Sequence, residues 1–132
     1  VSLGFDFITT NSKSGNLRFA GLTPLGTFTP DNGVTTGGCY VEEISNTSCL
    51  LHFIVRGGTG TRGEEILQLP EWAMPILNKW VHCVVRTSSG VALASVDIIG
   101  KLSTSSKGIL KVSYGWEART TWATGDIAYT KY

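Results

Sequence analysis

The sequence predicts an all-β domain, an antiparallel β-sandwich or β-barrel of about eight to ten short strands with little helix. Three observations carry this. Apolar and polar residues alternate in repeated runs, most cleanly over residues 79–87 and 91–99. The 16 glycines fall mainly between these runs, where they punctuate a chain of strands and turns. Pro70 and Pro75 bracket the one stretch that could otherwise start a helix.

Residues 3–10 place Leu3, Phe5 and Phe7 on one face of a first strand, and residues 11–15 read as a turn into a second strand at 16–22. Residues 23–38 are the least regular; Pro30-Asp31-Asn32-Gly33 is a turn, because proline presets its φ and glycine accepts the conformation others avoid. Two strands, 38–44 and 49–56, flank a hairpin turn at Ser45-Asn46-Thr47-Ser48. The second is apolar on both faces and is expected to be central. Residues 57–63 form a glycine-rich loop tip carrying Arg62; without a Gly-Lys-Ser/Thr end it is not a phosphate-binding fingerprint. A short strand at 64–69 leads into the proline-bounded corner, with Trp72 or Met74 tucked beneath it.

Residues 79–87 separate Trp80, His82, Val84 and Arg86 from Val81, Cys83, Val85 and Thr87, and the second set is expected to face the core. Ser88-Ser89-Gly90 turns the chain back into 91–99, the best-defined hairpin in the sequence. A polar loop at 100–107 precedes strands at 109–114 and 126–132.

At 132 residues the chain is long enough for one sizeable core and is read as a single domain, 1–132. It begins at Val1, not Met, which points to a piece of a longer protein. Charged residues make up only 16%, below the ~25% usual for soluble domains, so its surfaces repel one another weakly and self-association is favoured. Eleven basic and ten acidic residues are spread along the chain, which argues against a nucleic-acid groove. No stretch has the ~18 apolar residues of a membrane-spanning helix. The odd number of cysteines, Cys39, Cys49 and Cys83, rules out full internal pairing; Cys39 and Cys49 flank a hairpin and either pair or remain buried thiols. Asn46-Thr47-Ser48 matches a glycosylation sequon, relevant only in a secreted eukaryotic setting.

No catalytic constellation, metal site or cofactor motif stands out. His52 and His82 lie in apolar strands outside any ligand motif, and no Cys-x-x-Cys spacing supports zinc. His82 and Cys83 are adjacent, so as strand neighbours they point to opposite faces and make a poor dyad. Glu42-Glu43 and Glu64-Glu65 split in the same way, whereas a glycosidase needs two carboxylates about 5 to 9 Å apart on one cleft. The aromatic residues say more. Trp72, Trp80, Trp116 and Trp122 all lie in the second half, with Tyr114, Tyr129 and Tyr132. Aromatic faces stack on the apolar faces of sugars, and Trp80, His82 and Arg86 share one strand face, either a saccharide platform or a subunit interface. Each tryptophan has filling the β core as its plain alternative role.

The pattern of residues 67–132 resembles a known family. Leu69-Pro70-Glu71-Trp72-Ala73-Met74-Pro75 is followed by a strand, the Ser-Ser-Gly hairpin, Val96-Asp97-Ile98-Ile99-Gly100 and Gly115-Trp116. The chain then finishes in Trp122-Ala123-Thr124-Gly125-Asp126-Ile127-Ala128-Tyr129. This is similar to the head domain of tailed-phage receptor-binding proteins, especially of phages of lactococcal and related Gram-positive hosts. The resemblance implies a homotrimeric β head on the virion tail tip or baseplate that binds host cell-wall saccharide without catalysis. It points to Trp72, His82, Arg86, Trp116, Arg119, Trp122 and Asp126 as recognition residues, beside Trp80. Residues 1–65 carry no part of it. Three other readings compete: a protruding domain of a viral capsid, a carbohydrate-active enzyme using Asp97 or Asp126, and a structural tail or baseplate module.

Overall fold

The computed structural model describes residues 12–14, 17–30, 38–118 and 122–132. Among these, ten strands form one antiparallel sheet curled into a half-barrel. They are β1 Ser12–Ser14, β2 Leu17–Gly21, β3 Phe28–Pro30, β4 Tyr40–Ser45, β5 Ser48–Gly57, β6 Glu65–Gln68, β7 Lys79–Thr87, β8 Gly90–Ile98, β9 Ile109–Val112 and β10 Trp122–Thr130. The only helical element among the described residues is a 3-10 turn, Glu71–Ala73, in the proline-bounded corner. The spatial order is β1-β2-β4-β5-β10-β7-β8-β9-β6, and β3 pairs with the far end of β5 beyond β4.

The strand latest in the sequence lies in the middle. β10 pairs with β5 from Ala123↔Val55 to Thr130↔Ser48. It pairs with β7 only from Trp122↔Arg86 to Thr124↔Val84. Beyond Thr124 the sheet forks into a β2-β4-β5-β10 leaf and a β7-β8-β9-β6 leaf. Alternation then sorts the side chains. Cys49, Leu51, Phe53 and Val55 of β5 and Ala123, Ile127 and Tyr129 of β10 join Cys83, Val85, Val96, Ile98, Leu110 and Val112 in one buried cluster. Each large side chain so buried contributes about 1.5–3 kcal/mol.

Two backbone bridges close the flanks of the half-barrel. Leu25 N–H donates to the Ile66 carbonyl (2.8 Å), joining the segment before β3 to β6 and covering part of that edge strand. The corner after β6 spans the open fork: Tyr129 Oη donates to the Ala73 carbonyl (2.6 Å) and Ile76 N–H to the Lys131 carbonyl (2.8 Å). Lys131 Nζ also forms a mostly buried ion pair with Glu43, whose other oxygen accepts the Arg18 N–H at 2.9 Å. That pair fastens the end of β10 to β4 and β2.

The structure departs from the sequence-based expectations at irregular places. Ser12–Ser14, expected within a turn, is a strand paired with Leu17–Phe19 (Ser12↔Phe19, Ser14↔Leu17). Three polar residues show no apolar alternation, so pairing alone defines this strand. β3 lies in the stretch read as irregular, and Pro30 is tolerated because it ends an edge strand. The strand expected at 109–114 ends at Val112. The next two residues follow β8 with altered spacing: Ser113 N–H donates to the Ser95 carbonyl and Ser95 N–H to the Tyr114 carbonyl. The strand expected from Asp126 begins at Trp122. The expected strand at 3–10 and the turn at Asp31-Asn32-Gly33 lie outside the described residues. The Cys39–Cys49 pairing alternative is corrected: all three thiols are free and buried, and Glu43, not Cys39, is the register partner of Cys49.

Tyr129→Phe leaves the buried Ala73 carbonyl without its donor and should cost about 1–3 kcal/mol in urea unfolding. Burial also pushes the Cys39, Cys49 and Cys83 thiols up from 9.0, Cys83 to about 12, and the Tyr129 phenol up from 10.0. A folded pKa above the unfolded one means that the unfolded chain releases its protons first as pH climbs. This contribution is therefore intact below about pH 9 and lost above it. The urea midpoint should be lower at about pH 10.5 than at about pH 8.

Candidate functional site

The outer face of the β7–β8 hairpin, with the segment after β9 that lies against it, carries two exposed aromatic side chains, Trp80 and Tyr114. β7 alternates as expected: Trp80, His82 and Arg86 point outward, while Val85 and Cys83 are buried. The His82–Cys83 dyad is thus absent, its two members lying on opposite faces.

Ser95 of β8, directly opposite His82 in the register, organises this face. It is only 2% exposed although its side chain is on the outer side. Trp80 Nε1 donates to Ser95 Oγ (2.9 Å) and shares its hydrogen with Ser113 Oγ (3.2 Å). The Tyr114 N–H donates to the same Ser95 Oγ at 3.0 Å, and Trp116 Nε1 donates to the Ser95 carbonyl at 2.8 Å. One serine therefore fixes three aromatic residues, one from β7 and two from the segment that follows β9. Gly115 makes the close approach possible. Its φ is +87°, and a Cβ there would stand 2.9 Å from the Ala94 Cα.

The result is an open depression of about 150 Å³. Trp80, His82, Leu93 and Tyr114 wall it, over Ala94, Ser95 and Gly115. Trp80, Leu93 and Tyr114 are 57%, 66% and 56% exposed, which is unusual for side chains this apolar and leaves much of their surface open to a ligand. The His82 ring meets Trp80 edge-on, centroids 5.0 Å apart at 66°. Arg62 lies over the Tyr114 ring, 4.3 Å from its centroid. A larger hollow of about 390 Å³ beside Ile76, Leu77, Asn78, Leu102 and Ser103 carries no aromatic or charged side chain.

The expected recognition residues are not all brought together. Trp80 and His82 share the depression. Arg86 and Trp122 face each other across the β7–β10 register, farther along the same outer surface. Trp116 is half-buried beneath: its ring meets Phe28 edge-on (6.1 Å, 81°) and packs on the core. Trp72 sits in the corner against the core, its Nε1 buried without a hydrogen-bond partner among the described residues. Asp126 belongs to the other leaf, where its carboxylate meets His52 Nδ1 across β5–β10. Arg119 lies outside the described residues.

Around Asp126 is a second polar–aromatic assembly. Tyr40 stacks on His52 (5.0 Å, 25°) and Phe19 stacks on Tyr40 (5.4 Å, 23°), a ring ladder across β2, β4 and β5. Burial, and then the negative charges of Glu42 and Asp126, push the Tyr40 phenol up, so it stays a neutral hydroxyl. Sequence reasoning missed this ladder, and also Leu93, Ser95 and Tyr114 as partners of Trp80. The available signal was Ser95 interrupting an otherwise largely apolar strand beside a tryptophan-bearing one. Among the described residues, no cluster of three or more His, Cys, Asp or Glu side chains could hold a metal ion.

No protein-family model matches the sequence, and no curated protein matches it either. Among solved structures, the fold is similar to that of the receptor binding protein of Listeria phage PSA, with a TM-score of 0.63 and 15% identity. The match covers 86% of this chain and 64% of that one, so the chain spans slightly under two thirds of the length of that protein. At this identity the likeness is one of fold, and the fold is the one expected from the phage-head resemblance of residues 67–132.

Proposed function

We propose that the chain is the receptor-binding head of a tailed phage, attaching the virion through its tail tip or baseplate to saccharide on the surface of a Gram-positive host. The observation that carries the reading is the exposed depression walled by Trp80 and Tyr114, on a fold shared with a phage receptor binding protein. Sugar rings present apolar C–H faces that stack on such aromatic walls, while the His82 ring offers a polar edge for hydroxyls.

Pre-organisation favours this use. The Trp80 indole is held by Ser95 and Ser113 before any ligand arrives, so little rotamer freedom is lost on binding. Arg86 and Trp122 extend the polar–aromatic surface along the same face, and the Asp126–His52 pair offers hydroxyl-binding groups on the other leaf. A single open depression of this size binds weakly. Assembly of the head as a homotrimer, which the family resemblance implies, would convert weak sites into strong attachment. In this reading the saccharide is held and released unchanged.

The test is binding of the labelled chain to host cells and to isolated Gram-positive cell-wall polysaccharide. Trp80→Ala should weaken both by about tenfold or more with the melting temperature preserved. Light scattering should give the mass of three chains. Binding by the Trp80→Ala and Tyr114→Ala variants as tight as that of the unaltered chain would sink the proposed site, and turnover of the polysaccharide would favour an enzyme.

A further inference from the structure

We propose that the glycine-rich loop of residues 57–63 is a clamp that sets the shape of the depression. Glu64 fastens the loop, the loop holds Arg62 on the Tyr114 ring, and Tyr114 is thereby kept as a fixed wall. The inference deepens the saccharide reading and rests on it for the binding readout alone.

A tip with glycines at 57, 58, 60 and 63 has many conformations open to it, and all four adopt positive φ here. One carboxylate selects among them. Glu64 Oε1 accepts the Thr59 N–H (2.8 Å), the Thr59 hydroxyl (3.1 Å) and the Gly60 N–H (3.1 Å). Its Oε2 accepts the Thr59 N–H at 3.0 Å and the Thr27 hydroxyl at 3.4 Å. Hydrogen bonds to an ionised acceptor are the stronger kind. The backbone around Glu64 is anchored separately to β9: Gly63 N–H donates to the Val112 carbonyl and Val112 N–H to the Glu64 carbonyl. The clamp therefore stands on the sheet and reaches back over the loop.

Close packing fixes the loop against the segment that follows Tyr114. A Cβ at Gly60 would come within 2.4 Å of the Glu117 carbonyl oxygen, and one at Gly58 within 2.4 Å of the Phe28 ring. Two residues beyond Gly60, Arg62 projects onto Tyr114. Tyr114 lies just past the end of β9 and is 56% exposed, so its backbone is pinned by Ser95 while its ring has water on much of its surface. The guanidinium stacks on that ring by cation–π attraction and restricts it. Arg62 is not a wall of the depression. It acts through Tyr114 and is a positioning residue.

The full chain would be compared with Arg62→Ala, Arg62→Lys, Glu64→Ala and Glu64→Gln. Two readouts need no ligand: the Tyr114 ring resonances, and the rate of tryptic cleavage at the Arg62–Gly63 bond. Glu64→Ala should speed that cleavage and move the Tyr114 resonances in the same direction as Arg62→Ala, with the melting temperature unchanged. Glu64→Gln and Arg62→Lys should give intermediate shifts, because one acceptor or the positive charge remains. Affinity for Gram-positive cell-wall polysaccharide should fall about two- to fivefold for Arg62→Ala and for Glu64→Ala. Tyr114 resonances that stay put in Glu64→Ala would overturn the clamp whatever the ligand. Shifted resonances with binding weakened by Trp80→Ala, but untouched by Arg62→Ala, would overturn its role in the site. Shifted resonances with binding indifferent to Trp80→Ala as well would refute the saccharide reading and leave the clamp standing.

Discussion

The pairing of β10 is the constraint on which the rest of the molecule depends. It is bonded to β5 from Ala123 to Thr130 but to β7 only as far as Thr124, so the sheet must fork there. Gly125 is the residue at the fork. A Cβ at that position would lie 2.8 Å from the Phe53 ring, so its absence lets that fully buried ring enter the opening. Thr124 adds a hydroxyl bond to the Phe53 carbonyl at 3.0 Å. The Thr-Gly-Asp run thus has a packing role: threonine ties the strand, glycine admits the ring, and aspartate turns outward to His52.

Once the leaves part, the outer faces acquire different characters. On the β5–β10 leaf, Phe19, Tyr40, His52 and Asp126 engage one another across four strands, which leaves little of their apolar surface free. On the β7–β8 leaf Trp80 is tied to Ser95 by its indole edge and Tyr114 by its backbone N–H, and both rings stay more than half exposed. A hydrogen bond to the indole edge costs none of the stacking surface. This difference, more than the number of aromatic residues, makes one face suited to hold a ligand.

The regular hairpin was legible because its pattern is local. Alternation over Lys79–Thr87 separates the buried set from the exposed one correctly, and it places Trp80 beside His82. Elsewhere the deciding partner is distant in the sequence. Asp126 finds His52, and Trp80 finds Ser113 through a bulged continuation of β9 that no periodicity announces. Trp72, Trp80 and Trp116 look alike as letters; which of them is exposed depends on whether a corner, a strand face or a loop presents it. β3 and Ser12–Ser14 are strands only because a neighbour pairs with them, so composition could not reveal them.

Placing the latest strand at the centre also orders events during synthesis. Until residues 122–130 have emerged, β5 and β7 each lack the strand that joins them. Such long-range closure is slow compared with hairpin formation. Until residues 122–130 leave the ribosome, the strands of the two leaves have no shared partner, a condition that favours strand exchange between unfinished chains crowded on one messenger.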